Sequence, residues 1–291
     1  MKNFNEWSYF FTDFLRVPST GNLSENRLIE HIGIDIFGQK ELMNKTIFQI
    51  LASENSQIED CVDKLNNLNI PWLDLNLGCP SKRVNAHKGG AYLLDDHKVL
   101  ASLISKIRAH FDQKFSVKMR IGYKDDSNFL ETLKILENEG VDLITIHART
   151  RDQMYLGKAD WNYIKLAKEN TNIPIIGNGD ILNTSDIVKK RKQTNCDGIM
   201  IGRGAMAKPW MAKEYFSQTN IDKFHYTRLY FQSLQKEYEL GWDQERAILN
   251  RFKSLSKDIF KDFNGGIEFT KNLLKTTTYQ EFLKQINTFL S

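Results

Sequence analysis

Cys79 stands in the stretch Asp74-Leu75-Asn76-Leu77-Gly78-Cys79-Pro80-Ser81, just beyond a short apolar run from Trp72 to Leu75. A cysteine kept only for packing sits inside a strand; this one lies past a strand's C-terminal end, where βα units hold their chemistry. Gly78 lets the backbone approach closely and Pro80 restricts the turn. Lys118 is the next candidate. A cation inside the apolar strand Val117-Lys118-Met119 is costly unless an anion meets it, although a lone lysine there can also snorkel to water. His147 directly follows the apolar strand Leu143 to Ile146. Alone it reads as a core histidine; together with Lys118 it reads as part of a site. Two glycine loops, Gly177-Asn178-Gly179-Asp180 and Gly202-Arg203-Gly204, carry backbone N–H groups suited to a phosphate, with Arg203 adding charge. Either loop alone also makes an ordinary tight turn.

These residues need elements that bring them to one place. Short buried strands centred near Phe11, Phe48, Leu73, Val117, Ile144, Ile175 and Ile199 alternate with helical patterns, as in a TIM-type (β/α)8 barrel. Parallel strands would gather Gln49, Asn76, Cys79, Lys118, Arg120, His147, Arg149, Asn178, Asp180 and Arg203 at one rim. Seven strands are visible where a closed barrel of this kind has eight, and the first is the one missing. Cys61 falls at helical spacing with Ile58, Val62 and Leu65 and is expected in the core. From about residue 211 the strand signals stop, so a barrel domain over 1–210 and a small helical domain over 211–291 are expected. The clearest helix of the tail, Glu245 to Phe260, carries Ile248, Phe252, Leu255 and Ile259 on one stripe and Arg246, Asn250, Lys253 and Lys257 opposite. That basic stripe is either a solvated face or a phosphate-contacting one.

The composition narrows the class without naming a substrate. A hydrophobic share of 41% with 26% charged residues is that of a globular chain, and a net charge of +4 tolerates a polyanionic partner without demanding one. No apolar run approaches the roughly 18 residues of a membrane span, and no apolar stretch follows Lys2 as in a signal peptide. The chain is expected to be cytoplasmic. Its three cysteines form no CxxC pair and no metal spacing, so no metal is expected.

The stretch around Cys79, continuing to Gly89-Gly90-Ala91-Tyr92-Leu93-Leu94, resembles the signature of the tRNA-dihydrouridine synthases. The likeness extends through His147-Ala148-Arg149-Thr150-Arg151, Gln153 to Trp161, Ile173 to Asp180 and Cys196 to Ala205, covering about residues 8 to 210. Thr12 to Val17 and Arg251-Phe252-Lys253 are most similar to the bacterial C-type branch. The resemblance implies FMN in the barrel mouth, with Gln49, Lys118 and His147 around its ring and Asn178, Gly179, Asp180, Gly202 and Arg203 around its phosphate. It implies NADPH or NADH as reductant and a target uridine swung out of tRNA. Hydride would reach C6 of the uracil and Cys79 would protonate C5, since a thiol of ordinary pKa, about 8.5, still holds its proton at neutral pH. Asn76 would meet the uracil edge with donor and acceptor, Arg120 and Arg149 the substrate's phosphates or base, and Arg246, Arg251 and Lys253 the tRNA backbone.

The family's barrel opens with a strand ending in an Ala-Pro-Met-type segment, and no counterpart precedes Tyr9. A start lying upstream is the favoured explanation; a decayed remnant, or replacement by the N-terminal residues, are the others. Lys88 stands where the family loop usually has glycine, and Ala148 where glycine is common. The resemblance points to uridine 16 and to a monomer. The competing expectations are another FMN-barrel oxidoreductase and a catalytically inactive or truncated tRNA-binding remnant.

Overall fold

The computed structural model describes residues 6–219, 221–239 and 245–291. Spatial proximity divides the chain into two compact units, one of residues 8–180 and 187–200 and another of residues 181–186 and 201–291 with the described N-terminal Glu6 and Trp7. The first unit is a parallel sheet of the barrel type. Its strands are β1 (Phe10–Phe11), β2 (Leu15–Arg16), β3 (Thr46–Leu51), β4 (Trp72–Leu77), β5 (Lys114–Arg120), β6 (Leu143–His147), β7 (Ile175–Asn178) and β8 (Gly198–Met200). β1 and β2 both pair with β3, so eight segments occupy seven positions, and the order then runs sequentially to β8. Among the described residues no pairing joins β8 back to β1 or β2.

The expected first strand, Tyr9 to Val17, is broken at Thr12 to Phe14. Gln49 donates its backbone N–H to Thr12 Oγ1 at 3.0 Å, so a side chain takes the place of a main-chain acceptor and the ladder is interrupted. β4 runs two residues further than its apolar pattern and carries Asn76 inside the strand. β7 starts at Ile175 instead of Ile173, because Pro174 has no N–H for a ladder. The polar loop expected after Cys79 contains a helical turn, Lys82–Ala86, and the glycine pair opens a 3-10 helix, Gly90–Asp95.

The period-2 alternation of side chains gives the sheet two faces of opposite character. Leu73, Leu75, Leu77, Phe115, Val117, Met119, Ile144 and Ile146 form one face, all buried and each worth about 1.5–3 kcal/mol in a fully buried position. The other face aligns Gln49 with Asp74, Asp74 with Ser116 and Asn76 with Lys118, then Lys118 with Thr145 and Arg120 with His147. A sheet built only for packing has no reason to gather these groups, since barrel interiors are ordinarily filled by branched aliphatic residues.

The second unit is helical from Arg203–Ala207 onward, through Met211–Ser217, Lys223–Glu239, Glu245–Ile259, Gly266–Leu273 and Tyr279–Leu290. Its core is aromatic: Phe231, Phe252, Phe260 and Phe282 are buried together, with Phe231 and Phe260 stacked at 5.8 Å and 7°. Helix Glu245–Ile259 buries Phe252, Leu255 and Ile259 as its spacing predicts, and also Leu249 and Ser256. Arg246, Asn250, Arg251 and Lys257 are exposed, whereas Lys253 is half-buried and donates to the Thr276 carbonyl.

Candidate active site

Strand β4 ends in a turn held from several directions. Gly78 N–H donates to Asn76 Oδ1 at 2.9 Å, and Arg120 Nε donates to the Gly78 carbonyl at 2.9 Å. Asn85, on the short helix after the turn, donates to the Cys79 carbonyl at 3.0 Å. Cys79 itself is 8% exposed, a free thiol packed with Leu51 and Val84. It lies within electrostatic reach of Lys118 and Arg120. Proximity thus brings the expected thiol and the expected interior lysine together.

Lys118 is half-buried. Burial draws its ammonium down to about 8, Asp74 pulls the other way, and Arg120 adds to the depression. Among the described residues Lys118 Nζ has no hydrogen bond or ion pair within contact range. Thr145 Oγ1, on the neighbouring strand in register with Lys118, is buried and equally without a hydrogen-bond partner among the described residues. Two polar groups of adjacent strands facing one interior without protein partners suit a polar or anionic ligand, as an FMN would be.

His147 is buried, and its imidazolium form is disfavoured first by burial and then by Arg120, Lys118 and Arg149, so that it titrates at about 3; Asp180 opposes the shift. At neutral pH it is a neutral ring with one donor and one acceptor nitrogen. Its ring lies 6.2 Å, centroid to centroid, from that of Tyr155.

The sequence placed Arg120 and Arg149 towards a substrate's phosphates or base; in the structure both are about 2% exposed, and several of their donors meet acceptors within the protein. Arg120 donates to the Gly78 carbonyl and through Nη1 to the carbonyls of Thr150 at 2.7 Å and Met154 at 2.9 Å. Arg149 donates to the carbonyls of Leu156 and Gly157 and forms a 2.8 Å ion pair with Asp180. A guanidinium has five donors and no acceptor, so burying it requires such a set of oxygens. Asn76 was expected to offer its amide to a base; its Oδ1 accepts from Gly78 and its Nδ2 donates to Gln49 Oε1 at 2.8 Å. One N–H and one lone pair remain for a ligand.

The first glycine loop has packing reasons of its own. A Cβ at Gly177 would lie 2.4 Å from the Trp161 ring, and one at Gly179 would lie 2.6 Å from Ala159 Cβ, at a φ of +128°. Asn178 donates to the Met200 carbonyl, and Asp180 accepts from Ala159 N–H as well as from Arg149. Gly179→Ala is expected to destabilise the protein by about 2 kcal/mol or more, read as a lower midpoint in urea with an unchanged slope. A midpoint equal to wild type would show that the loop is not held by this close approach. Gly202 and Arg203 belong to the second unit, where Gly202 precedes the helical turn Arg203–Ala207 and both residues are exposed.

Sequence reasoning missed Asp74, Ser116, Thr145 and Tyr155. Asp74 is fully buried and accepts from Gln49 Nε2 at 2.8 Å and Ser116 Oγ at 2.6 Å. Its signal was available, since Leu73-Asp74-Leu75 is the same anomaly of a charge in an apolar strand that singled out Lys118. Tyr155 is 56% exposed, with Arg120 at 5.8 Å from its ring; only the fold brings it next to His147. No group of three or more His, Cys, Asp or Glu side chains among the described residues is placed to hold a metal ion, and no described helix is long and apolar enough to cross a membrane.

The model of the family described as "Dihydrouridine synthase (Dus)" matches residues 27–291. Among curated proteins, the "Probable tRNA-dihydrouridine synthase" of Rickettsia conorii is 37% identical over 178 residues, 60% of this chain and 54% of that protein. The "tRNA-dihydrouridine(16) synthase" of Cupriavidus necator is 33% identical over 205 residues, 69% of this chain and 63% of that protein. The chain spans about half the length of the curated relatives it matches. Among solved structures, the 6-hydroxypseudooxynicotine amine oxidase of Pseudomonas geniculata N1 is similar at a TM-score of 0.53 and 11% identity, over 73% of this chain and 42% of that one. That likeness is one of fold.

Proposed function

Since the chain belongs to the dihydrouridine synthase family, we propose that it reduces a uridine of tRNA to 5,6-dihydrouridine with FMN as cofactor and NADPH or NADH as reductant. The observation that carries the proposal is the polar face of the sheet, where Asn76, Lys118 and Thr145 stand in one register, His147 stands next to them, and the Cys79 thiol follows at the end of β4. Bound FMN supplies the hydride that adds to C6 of the uracil.

This chain's residues do the rest. Lys118 would offer a cation that stabilises the negative charge of the reduced flavin ring, Gln49 and neutral His147 would offer hydrogen bonds, and Thr145 would add a hydroxyl. Asn178, Gly179 and Asp180 are proposed to hold the phosphate end. A stacked base cannot reach a buried flavin, so the uridine enters flipped out of the tRNA, where the remaining N–H and lone pair of Asn76 can meet its edge. Cys79 gives its thiol proton to C5, which completes the addition of two hydrogens across the C5–C6 bond, and the thiolate regains a proton from solvent. Residues 1–210 form the proposed catalytic domain and 211–291 the tRNA-binding one, with Arg246 and Arg251 on its exposed helix face. The kinship with tRNA-dihydrouridine(16) synthases supports uridine 16 as the target; a cytoplasmic monomer completes the proposal.

The purified chain, given FMN and re-isolated, is expected to keep flavin bands at about 370 and 450 nm. With NADPH it is expected to convert one uridine of unmodified tRNA to the product heavier by two hydrogens. Flavin binding without tRNA reduction would point instead to another FMN oxidoreductase, and failure to bind flavin to a tRNA-binding remnant. FMN affinity carries a further signature: Lys118 loses its proton above about pH 8, so affinity should be level from pH 7 to 8 and then fall by up to about tenfold per unit. Lys118→Met should bind FMN more weakly and without that dependence; a fall of the same size in the variant would assign it elsewhere.

A further inference from the structure

Cys79 reaches its position through a buried chain of amides that begins at a carboxylate with no role in the reaction proposed above. We propose that Asp74 is the positioning residue that fixes the orientation of the Gln49 and Asn76 amides and, through them, the turn presenting Cys79. The inference rests on the reading of Cys79 as the proton donor.

The chain is directional. Trp72 Nε1 donates to Ser116 Oγ at 2.9 Å, and the Ser116 hydroxyl donates onward to Asp74 Oδ1 at 2.6 Å, since an ionised carboxylate has no proton to give. The second carboxylate oxygen accepts from Gln49 Nε2 at 2.8 Å. An ionised carboxylate only accepts, so the Gln49 amide must turn its NH2 towards it and present its oxygen to Asn76. Asn76 then donates Nδ2 to that oxygen at 2.8 Å, and its own oxygen is left facing Gly78 N–H at 2.9 Å. Gly78 immediately precedes Cys79. Asp74, Gln49 and Asn76 are 0%, 6% and 8% exposed, so water has little access to repair a wrong orientation, and a partly satisfied buried network is costly. Burial pushes the Asp74 carboxyl up to about 7, and the bonds from Ser116 and Gln49, with the charge of Lys118, act against that rise; the ionised form that the chain requires prevails above that pH, so the thiol measurement is made at about pH 8.5.

The alternative role, plain filling of the interior, makes a different forecast. Asp74→Leu keeps a similar volume but offers neither Gln49 Nε2 nor the Ser116 hydroxyl an acceptor. A flip of Gln49 sets its NH2 against Asn76 Nδ2, and a flip of Asn76 sets its NH2 against Gly78 N–H. The double variant Asp74→Asn/Gln49→Glu restores every donor and acceptor with the same net charge: the amide introduced at position 74 donates to the carboxylate introduced at position 49, and that carboxylate accepts from Asn76. The probe is iodoacetamide, applied to the full chain without FMN or tRNA, with the rate at Cys79 read by peptide mapping relative to Cys61 and Cys196. Global opening exposes all three thiols together, so the ratio isolates the turn. Asp74→Leu should change the ratio by about fivefold or more, as loss of one hydrogen bond's worth of order implies, and the double variant should return it to within about twofold of wild type. If the single variant does not fold, a folded double variant with the wild-type ratio upholds the chain of amides. An unchanged ratio in a folded Asp74→Leu protein overturns it, as does a double variant that stays altered or unfolded. Because no flavin or tRNA is present, a negative result here leaves the proposed activity standing, and a wild type inactive on tRNA leaves this result readable.

Discussion

Cys79→Ala should lower the rate of tRNA uridine reduction by roughly 10²–10⁴-fold, the range associated with a positioned proton donor, while FMN binding and the melting temperature stay close to wild type. The thiol is 8% exposed at the edge of a small cluster with Leu51 and Val84, so removing one sulfur leaves a minor void. His147 is neutral at the pH of the assay because burial and three neighbouring cations hold its titration at about 3, and Lys118, drawn down to about 8, is the competing acid that the variant tests against. The measurement is single-turnover oxidation of pre-reduced, FMN-loaded protein by tRNA. It separates proton transfer from reduction by NADPH, which should proceed normally in the variant. A Cys79→Ala protein that turns over within about tenfold of wild type, less than a lost general acid allows, would remove the thiol from the mechanism.

Arg120→Met should cost about 3 kcal/mol of stability, with activity falling as a consequence. The guanidinium is buried and joins the carbonyls of Gly78, Thr150 and Met154. Methionine fills similar volume but leaves those carbonyls without their donors. A guanidinium waiting for an RNA phosphate would behave otherwise: its loss would raise KM and leave the urea midpoint unchanged, and that outcome would reverse the assignment. The variant also carries a pH signature. The folded pKa of His147 lies below its unfolded value, so the unfolded chain takes up the proton first and the wild type loses stability as pH falls from about 6.5 towards 3. Arg120 is the largest charge contribution to that depression. In Arg120→Met the acid loss should therefore be confined to a narrower window, visible as a shallower decline of the melting temperature between pH 6 and 4.

Much of this molecule was legible in its sequence because the relevant physics is local. The alternation of short apolar runs with helical periods specified a parallel, barrel-type sheet, and the strands near Phe48, Val117 and Ile144 lie where the pattern put them. The same holds for the apolar stripe of helix Glu245–Ile259. A charge in an apolar run marked Lys118, and position past a strand end marked Cys79 and His147. Where the reading went astray, a side chain replaced a backbone partner, as Thr12 does in the first strand, or a proline removed a donor, as at the start of β7.

Which group meets which was decided by tertiary structure alone. Gln49 and Asp74 are 25 residues apart, Arg120 and Gly78 are 42 apart, and Arg149 and Asp180 are 31 apart; no local period links them. Strand register sets these partners, and register is chosen by the packing of the apolar face against its helices, which carries no information about the polar one. The sequence by itself determined what chemistry the chain carries and near which strand ends. Only the folded sheet separated the arginines that brace the rim from the lysine and hydroxyl left facing its interior, because a buried donor must take whichever acceptor the register brings within reach.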